Sequence, residues 1–221
     1  MKHLFLIFIL IFSLNTYSQD YGEFKFGLEV GPTINLLRGE RYSSFERFKP
    51  AVRFSLGFSF EIEIKNRFSI KTGFNLGKKG MEETYNEIDT FGFDYGEISV
   101  SHIYNYLTIP FLGKYYLDKK SEYFVTAGIY TGFLLKRSEF IRGTGSNPET
   151  PDLTEHSKQA DFGLSFGGGY TKKMSDQISM MIELRNDFGL SNTSKLSLPE
   201  DTETKNNSTM FLFGMTYTFR Y

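Results

Sequence analysis

Between residues 52 and 64 every even position is apolar (Val52, Phe54, Leu56, Phe58, Phe60, Ile62, Ile64), while the odd positions are Arg53, Ser55, Gly57, Ser59, Glu61 and Glu63. A helix would scatter these side chains around its circumference, whereas a strand sorts them onto two faces. Residues 24–36 repeat the pattern. Phe24, Phe26, Leu28, Val30, Ile34 and Leu36 share one face, and Lys25, Gly27, Glu29, Gly31, Thr33 and Asn35 the other. Alternation predicts six further strands at about 68–78, 102–117, 123–136, 159–171, 177–190 and 208–221. The connections between them alternate too: long at 37–50, 79–101, 137–158 and 191–207, short at 65–67, 118–122 and 172–176.

A meander with tight turns at one end and long polar loops at the other is the plan of a membrane-spanning barrel. The expected fold is therefore all-β: an eight-stranded antiparallel up-and-down transmembrane β-barrel, with its short turns in the periplasm. Eight strands leave an interior that side chains only just fill. So many Phe- and Leu-rich faces would overfill it, which excludes a soluble barrel with an apolar inside. The apolar faces must meet lipid, and small residues such as Gly73, Gly128, Gly132, Gly163 and Gly167 suit a crowded lumen. In lipid an unpaired strand edge costs several kcal/mol per backbone group, so the sheet has to close.

The N-terminus gives the route to that membrane. Lys2 and His3 precede an apolar run from Leu4 to Phe12, followed by Ser13, Asn15 and Thr16. The run is about half the ~20 residues a spanning helix needs, so residues 1–18 read as a signal peptide rather than an anchor or a buried helix. Thr16 and Ser18 form a small-x-small cleavage site before Gln19. Residues 19–221 are then the barrel domain, exported to the outer membrane of a Gram-negative bacterium. A net charge of -1 gives no basic excess for nucleic acid, and the lack of cysteine removes disulfides, thiol catalysis and a lipid anchor on Cys.

Several stretches resemble the PorT-like outer-membrane β-barrel family. They are Phe26-Gly27-Leu28-Glu29-Val30-Gly31, Tyr106-Leu107-Thr108-Ile109-Pro110-Phe111, Ala127-Gly128 with Gly132-Phe133-Leu134-Leu135, Asp161-Phe162-Gly163-Leu164, and Phe213 to Phe219. The resemblance covers the mature chain and carries no active-site motif. It implies an outer-membrane barrel, and, for a few family members, a role in protein secretion or gliding. Residues 214–221, a glycine followed by spaced aromatics, also resemble the C-terminal signal read by the outer-membrane insertion machinery.

By parity the lumen receives Lys25, Arg53, Lys71, Lys114, Lys136, Arg185 and Arg220, against Glu29, Glu61, Glu63, Asp161, Glu183 and Asp187. The signs nearly balance, and buried charges persist only when paired. The expected site is thus a lumen charge network of Glu29, Arg53, Glu61, Lys71, Asp161, Glu183, Arg185 and Asp187. Rings at the strand ends, Phe60, Phe68, Tyr115, Tyr123, Tyr170, Tyr217, Phe219 and Tyr221, belong at the lipid headgroups. His102 and His156 could pair as acid and base at the rim, but no companion Asp pair is recognisable. Gly143-x-Gly145 and Gly167-Gly168-Gly169 lack the lysine and helix of a phosphate cradle. The Asn-x-Ser/Thr matches at Asn192, Asn206 and Asn207 mark polar loops. No catalytic, metal or cofactor site is expected. The expected partners are outer-membrane lipid, the insertion machinery, and a secretion-apparatus or extracellular partner at the long loops. Read this way the protein is a non-enzymatic envelope scaffold or surface-loop binder; the alternatives are a secretion accessory, a rim enzyme or a small diffusion channel.

Overall fold

The computed structural model describes residues 23–39, 48–65, 67–88, 94–118, 120–143, 150–195 and 203–219. Within them eight strands run antiparallel and in chain order around a closed barrel: β1 (Phe24–Arg38), β2 (Phe48–Lys65), β3 (Phe68–Ile88), β4 (Asp94–Tyr116), β5 (Tyr123–Arg142), β6 (Ala160–Lys173), β7 (Ile178–Gly189) and β8 (Lys205–Phe219). Closure is made by β8 on β1, paired from Phe24–Phe219 to Arg38–Lys205. The predicted signal peptide, Arg220 and Tyr221 lie outside the described residues.

Alternation becomes inside and outside as the pattern requires. Leu56 on β2 is exposed beside Val30 and Leu76 of its neighbours, while Ser55 and Ser59 are buried in the lumen. The outward band includes Phe54 at 69% exposure, Phe111 at 56% and Leu184 at 56%, a surface tolerable only in lipid.

The short turns are fixed by local polar chemistry. Between β4 and β5 the Asp118 carboxylate accepts the backbone N–H groups of Lys120, Glu122 and Tyr123, each at 2.9 Å. Between β6 and β7 the Ser175 hydroxyl accepts the N–H of Ile178 at 3.0 Å.

One expected loop is not a loop. Residues 79–88 and 94–101, taken from sequence as part of a long connection, continue β3 and β4, pairing from Lys79–Tyr104 to Asn86–Glu97. Likewise β5 runs on through Arg142. A strand needs only about 9–11 residues to cross a bilayer, so β3, β4 and β5, with 21, 23 and 20 residues, stand well clear of it. Above the lipid neither face must be apolar, which is why alternation faded there. Gly80 marks the exit from the membrane: its φ is +125°, and a Cβ would fall 2.0 Å from the His102 carbonyl oxygen. Residues 150–159 fold back on this extension. They bridge Ser138 with Asp152, form a 3-10 turn at Thr154–His156, and reach the β7–β8 connection through Ser157 and Ser194.

Two register shifts alter which side chains face inward. One lies between Pro50 and Ser55 against β3; the other inserts Leu135 opposite Asn105 and Tyr106 of β4. Such bulges bend a strand and re-aim its side chains. Below Leu135 the inward residues of β5 are even, ending at Leu134; above it they are odd, Arg137 and Glu139.

Candidate functional site: the charged lumen and its outer rim

The lumen is filled by polar layers stacked along the barrel axis. At the short-turn end Glu61 of β2 accepts Lys114 Nζ at 2.8 Å and the Tyr116 hydroxyl at 2.9 Å, with Lys25 at 3.7 Å. Phe124 and Met181 pack against Tyr116. Below this layer a cavity of about 200 Å³ is lined by Glu23, Lys25, Glu63, Lys120, Glu122 and Lys173, among others.

The middle layer is a closed quartet from three strands. Lys71 of β3 lies 2.7 Å from Glu29 of β1 and 2.8 Å from Glu183 of β7. Arg185, two residues along β7, reaches Glu29 at 3.1 Å and Glu183 at 2.7 Å, and donates a second bond to Glu183 from Nε at 3.0 Å. The Thr126 hydroxyl donates to Glu183 at 3.0 Å. All four charged residues are at most 2% exposed, and their charges are balanced two against two.

In the upper layer Asp161 of β6 gathers Lys79 at 3.1 Å, the Tyr130 hydroxyl at 3.1 Å, Asn206 at 3.0 Å and Ser191 at 3.0 Å. The Lys79 ammonium also sits 4.3 Å from the Tyr130 ring centre and 5.3 Å from that of Tyr106. Asp187 adjoins this layer at a cavity of about 20 Å³, shared with Asn35, Asn75, Lys79 and Ser208. That is room for about one water molecule.

An apolar cap closes the top: Leu37, Phe48, Met81, Tyr104, Tyr106 and Leu134 are mutually packed and buried. Above it His102 links two strands, its ring nitrogens 3.1 Å from Glu83 and 3.0 Å from Glu139, with Arg137 3.0 Å from Glu139. Here, beyond the lipid band, the His102 hydrogen bond and the Arg137 guanidinium hold the Glu139 carboxyl below the usual glutamate range, against a desolvation that works the other way.

Of the residues expected in the lumen network, Glu29, Lys71, Glu183 and Arg185 meet directly. Glu61 and Asp161 anchor separate layers, and Asp187 borders the upper one. Arg53 is not among them. Its guanidinium hydrogen-bonds the Ser101 hydroxyl and lies 3.6 Å from Glu82. Glu82 alternates with buried Met81 and Glu83, and Ser101 lies between buried Val100 and inward His102, so both are on the outer face. On the β1 side Arg53 stays opposite Thr33 without a break in register, and it reaches Ser101 and Glu82 beside the shift in the β2–β3 register. Lys136 is likewise outside the lumen, its side chain 54% exposed and 3.8 Å from Asp152, because the Leu135 bulge reverses the parity above it.

Sequence reasoning passed over Lys79, which falls one residue past the expected end of its strand, and Arg137 and Glu139, which the bulge turns inward. It also passed over Tyr106, Tyr116 and Tyr130, although Tyr104, Tyr106, Lys114 and Tyr116 fall on one parity and could have been grouped. His156 is exposed in its 3-10 turn, and the ring partners of His102 are Glu83 and Glu139. Among the described residues no His, Cys, Asp and Glu cluster is arranged to hold a metal ion. At the short-turn rim Phe68, Tyr115, Tyr123, Tyr217 and Phe219 are exposed, Phe60 and Tyr170 partly so, and the Tyr123 and Tyr170 rings stand 5.1 Å apart.

A family profile described as an outer membrane protein beta-barrel domain matches residues 16–195. Among solved structures, the neisserial surface protein A shares 11% identity, covering 88% of this chain and 97% of its own, with a TM-score of 0.47. OprG, an outer membrane protein of Pseudomonas aeruginosa, shares 9%, covering 92% and 99%, with a TM-score of 0.43. Ail, the attachment invasion locus protein of Yersinia pestis, in complex with the heparin analogue sucrose octasulfate, shares 11%, covering 91% and 100%, with a TM-score of 0.41. No curated protein matches the chain in sequence.

Proposed function

The chain belongs to the family of outer membrane protein beta-barrel domains, and from that premise we propose that it is a non-conducting, non-enzymatic scaffold of the Gram-negative outer membrane. It presents the β3–β5 extension and the outer loops to a partner at the cell surface. The observation that carries this reading is the buried quartet of Glu29, Lys71, Glu183 and Arg185, which spans the lumen from β1 and β3 to β7. A conducting pore would have to break these pairs, and separating one partner of a buried pair costs several kcal/mol. Lumen charges are therefore structural, and interaction is left to surfaces beyond the lipid. Planar-bilayer recording on the purified barrel tests it: the expected trace holds no long-lived open level, and a stable conductance of general-porin size would make the protein a diffusion channel instead.

A further inference from the structure

Asp187 is the carboxylate that the lumen layers leave over. It is 4% exposed, and the cations nearest to it are committed elsewhere: Lys79 to Asp161 at 3.1 Å, Arg185 to Glu29 at 3.1 Å and to Glu183 at 2.7 Å. The middle and upper layers together bury three cations, Lys71, Lys79 and Arg185, against four carboxylates, Glu29, Asp161, Glu183 and Asp187. One negative charge is unmatched there.

Unpaired oxygen collects at the same height. Asp187 of β7, Ser208 of β8 and Asn35 of β1 stand opposite one another across three adjacent strands, so their side chains share one inward row. All three are at most 4% exposed, and Asp187 Oδ1, Ser208 Oγ and Asn35 Oδ1 have no hydrogen-bond partner among the described residues. The Asn35 amide nitrogen donates to Thr33 Oγ1 at 2.8 Å and to the Ala51 carbonyl at 3.3 Å, which identifies the unpaired atom as the carbonyl oxygen. The three side chains border one cavity of about 20 Å³, and Thr33, Ser55 and Thr108 add hydroxyls to its wall. Lys79 borders it too, but its ammonium is held by Asp161 and faces the Tyr130 ring at 4.3 Å.

The occupant has to satisfy both the charge and the oxygens. A water molecule has hydrogens for the two acceptors, but it leaves a buried carboxylate uncompensated. A proton on Asp187 cancels the charge, yet that one hydrogen cannot serve the Asn35 and Ser208 oxygens as well. A divalent cation would turn the deficit into an excess, and calcium takes about six to eight oxygen ligands. A monovalent cation of the size of the cavity matches the charge and takes every oxygen as a ligand. Carboxylate, carbonyl and hydroxyl oxygens are the donors that hard cations prefer.

We infer that Asn35, Asp187 and Ser208 bind one alkali-metal cation, sodium or potassium, inside the lumen. Asp187 supplies the charge, and Asn35 and Ser208 supply neutral oxygen ligands. The ion lies between the apolar cap above and the Glu29–Arg185 quartet below, so it is held in place rather than in transit. The inference stands apart from the question of conductance.

The full-length barrel is refolded into lipid vesicles with a chelator of divalent ions, and its urea midpoint is compared in sodium, potassium and N-methyl-D-glucamine chlorides at equal ionic strength. At least one alkali salt should raise the midpoint above that in the bulky organic cation, and the rise should saturate as a single site fills. Asp187→Asn, which keeps the shape and removes the charge, should have the same midpoint in all three salts. Ser208→Ala removes one oxygen and no charge, so it should keep the rise but need a several-fold higher salt concentration to reach half of it. Gel mobility without heating reports that each variant is a folded barrel. Identical midpoints for the native barrel in the three salts would overturn the inference, as would a rise that survives in folded Asp187→Asn or an unmoved half-point in Ser208→Ala. An infrared carbonyl band of a protonated carboxyl group in the native barrel, lost in Asp187→Asn, would overturn it too, by assigning a proton to the site.

Discussion

Arg185, 1% exposed, carries two carboxylate contacts inside the lumen. Its guanidinium lies between Glu29 and Glu183, which also share Lys71, so the four charges cancel within one layer. Removing the arginine leaves two buried carboxylates with a single ammonium. Arg185→Ala should lower the unfolding free energy by about 3–5 kcal/mol, measured by urea unfolding from lipid vesicles. Thr126→Val deletes one hydroxyl donor to Glu183 and leaves the charges balanced, so it should cost about 1.5–3 kcal/mol. If Arg185→Ala proved no more costly than Thr126→Val, the quartet would not be what stabilises the lumen.

Strands in this barrel have two readable faces for as long as lipid lies on one of them. Leu56 sits within the outward band of β2, flanked on adjacent strands by Val30 and Leu76. Leu56→Arg should therefore destabilise the folded barrel by about 2–4 kcal/mol if it lies near the midplane. Ser55→Thr, one residue away in the lumen and flanked on both neighbouring strands by glycines, Gly31 and Gly77, should unfold at the wild-type urea concentration. Equal midpoints for Leu56→Arg and the parent protein would reverse the assignment of faces on β2. Where β3, β4 and β5 leave the bilayer the same logic no longer holds, and the bulge in β5 decides orientation: Glu139 turns in to meet His102 and Arg137 to meet Glu139, while Lys136 turns out.

Considered whole, the molecule is a ring in which every strand is hydrogen-bonded on both sides, the last on the first. Such a sheet has no edge from which unfolding could begin in lipid. The folded protein should consequently keep its compact shape in dodecyl sulfate at room temperature and run faster on a gel unheated than boiled. A single band at one mobility under both conditions would contradict closure. The wall is uneven, 23 residues tall at β4 and 12 at β7, so the surface offered to the exterior is the β2–β5 side. The residues 150–159 that fold back on β5 broaden that side further.

Hydrophobic alternation by itself determined the strand count, the direction of each face, the short-turn end and the presence of charged residues inside, because a period of two is a local property and lipid enforces it at every position of the band. The register shifts at Pro50–Ser55 and at Leu135 depend on how one strand meets its neighbour, and no single strand's sequence records them. The shift at Leu135 puts Lys136 outside and Arg137 and Glu139 inside, against parity, and Arg53 bonds Ser101 beside the other. The partners of the lumen charges were also decided only by closure. Glu29 and Arg185 lie 156 positions apart in the chain, and they meet because β8 seals against β1 and brings β7 within reach. The height of the β3–β4 extension was hidden for the complementary reason: outside the bilayer both faces are polar, and only cross-strand pairing distinguishes a strand from a loop.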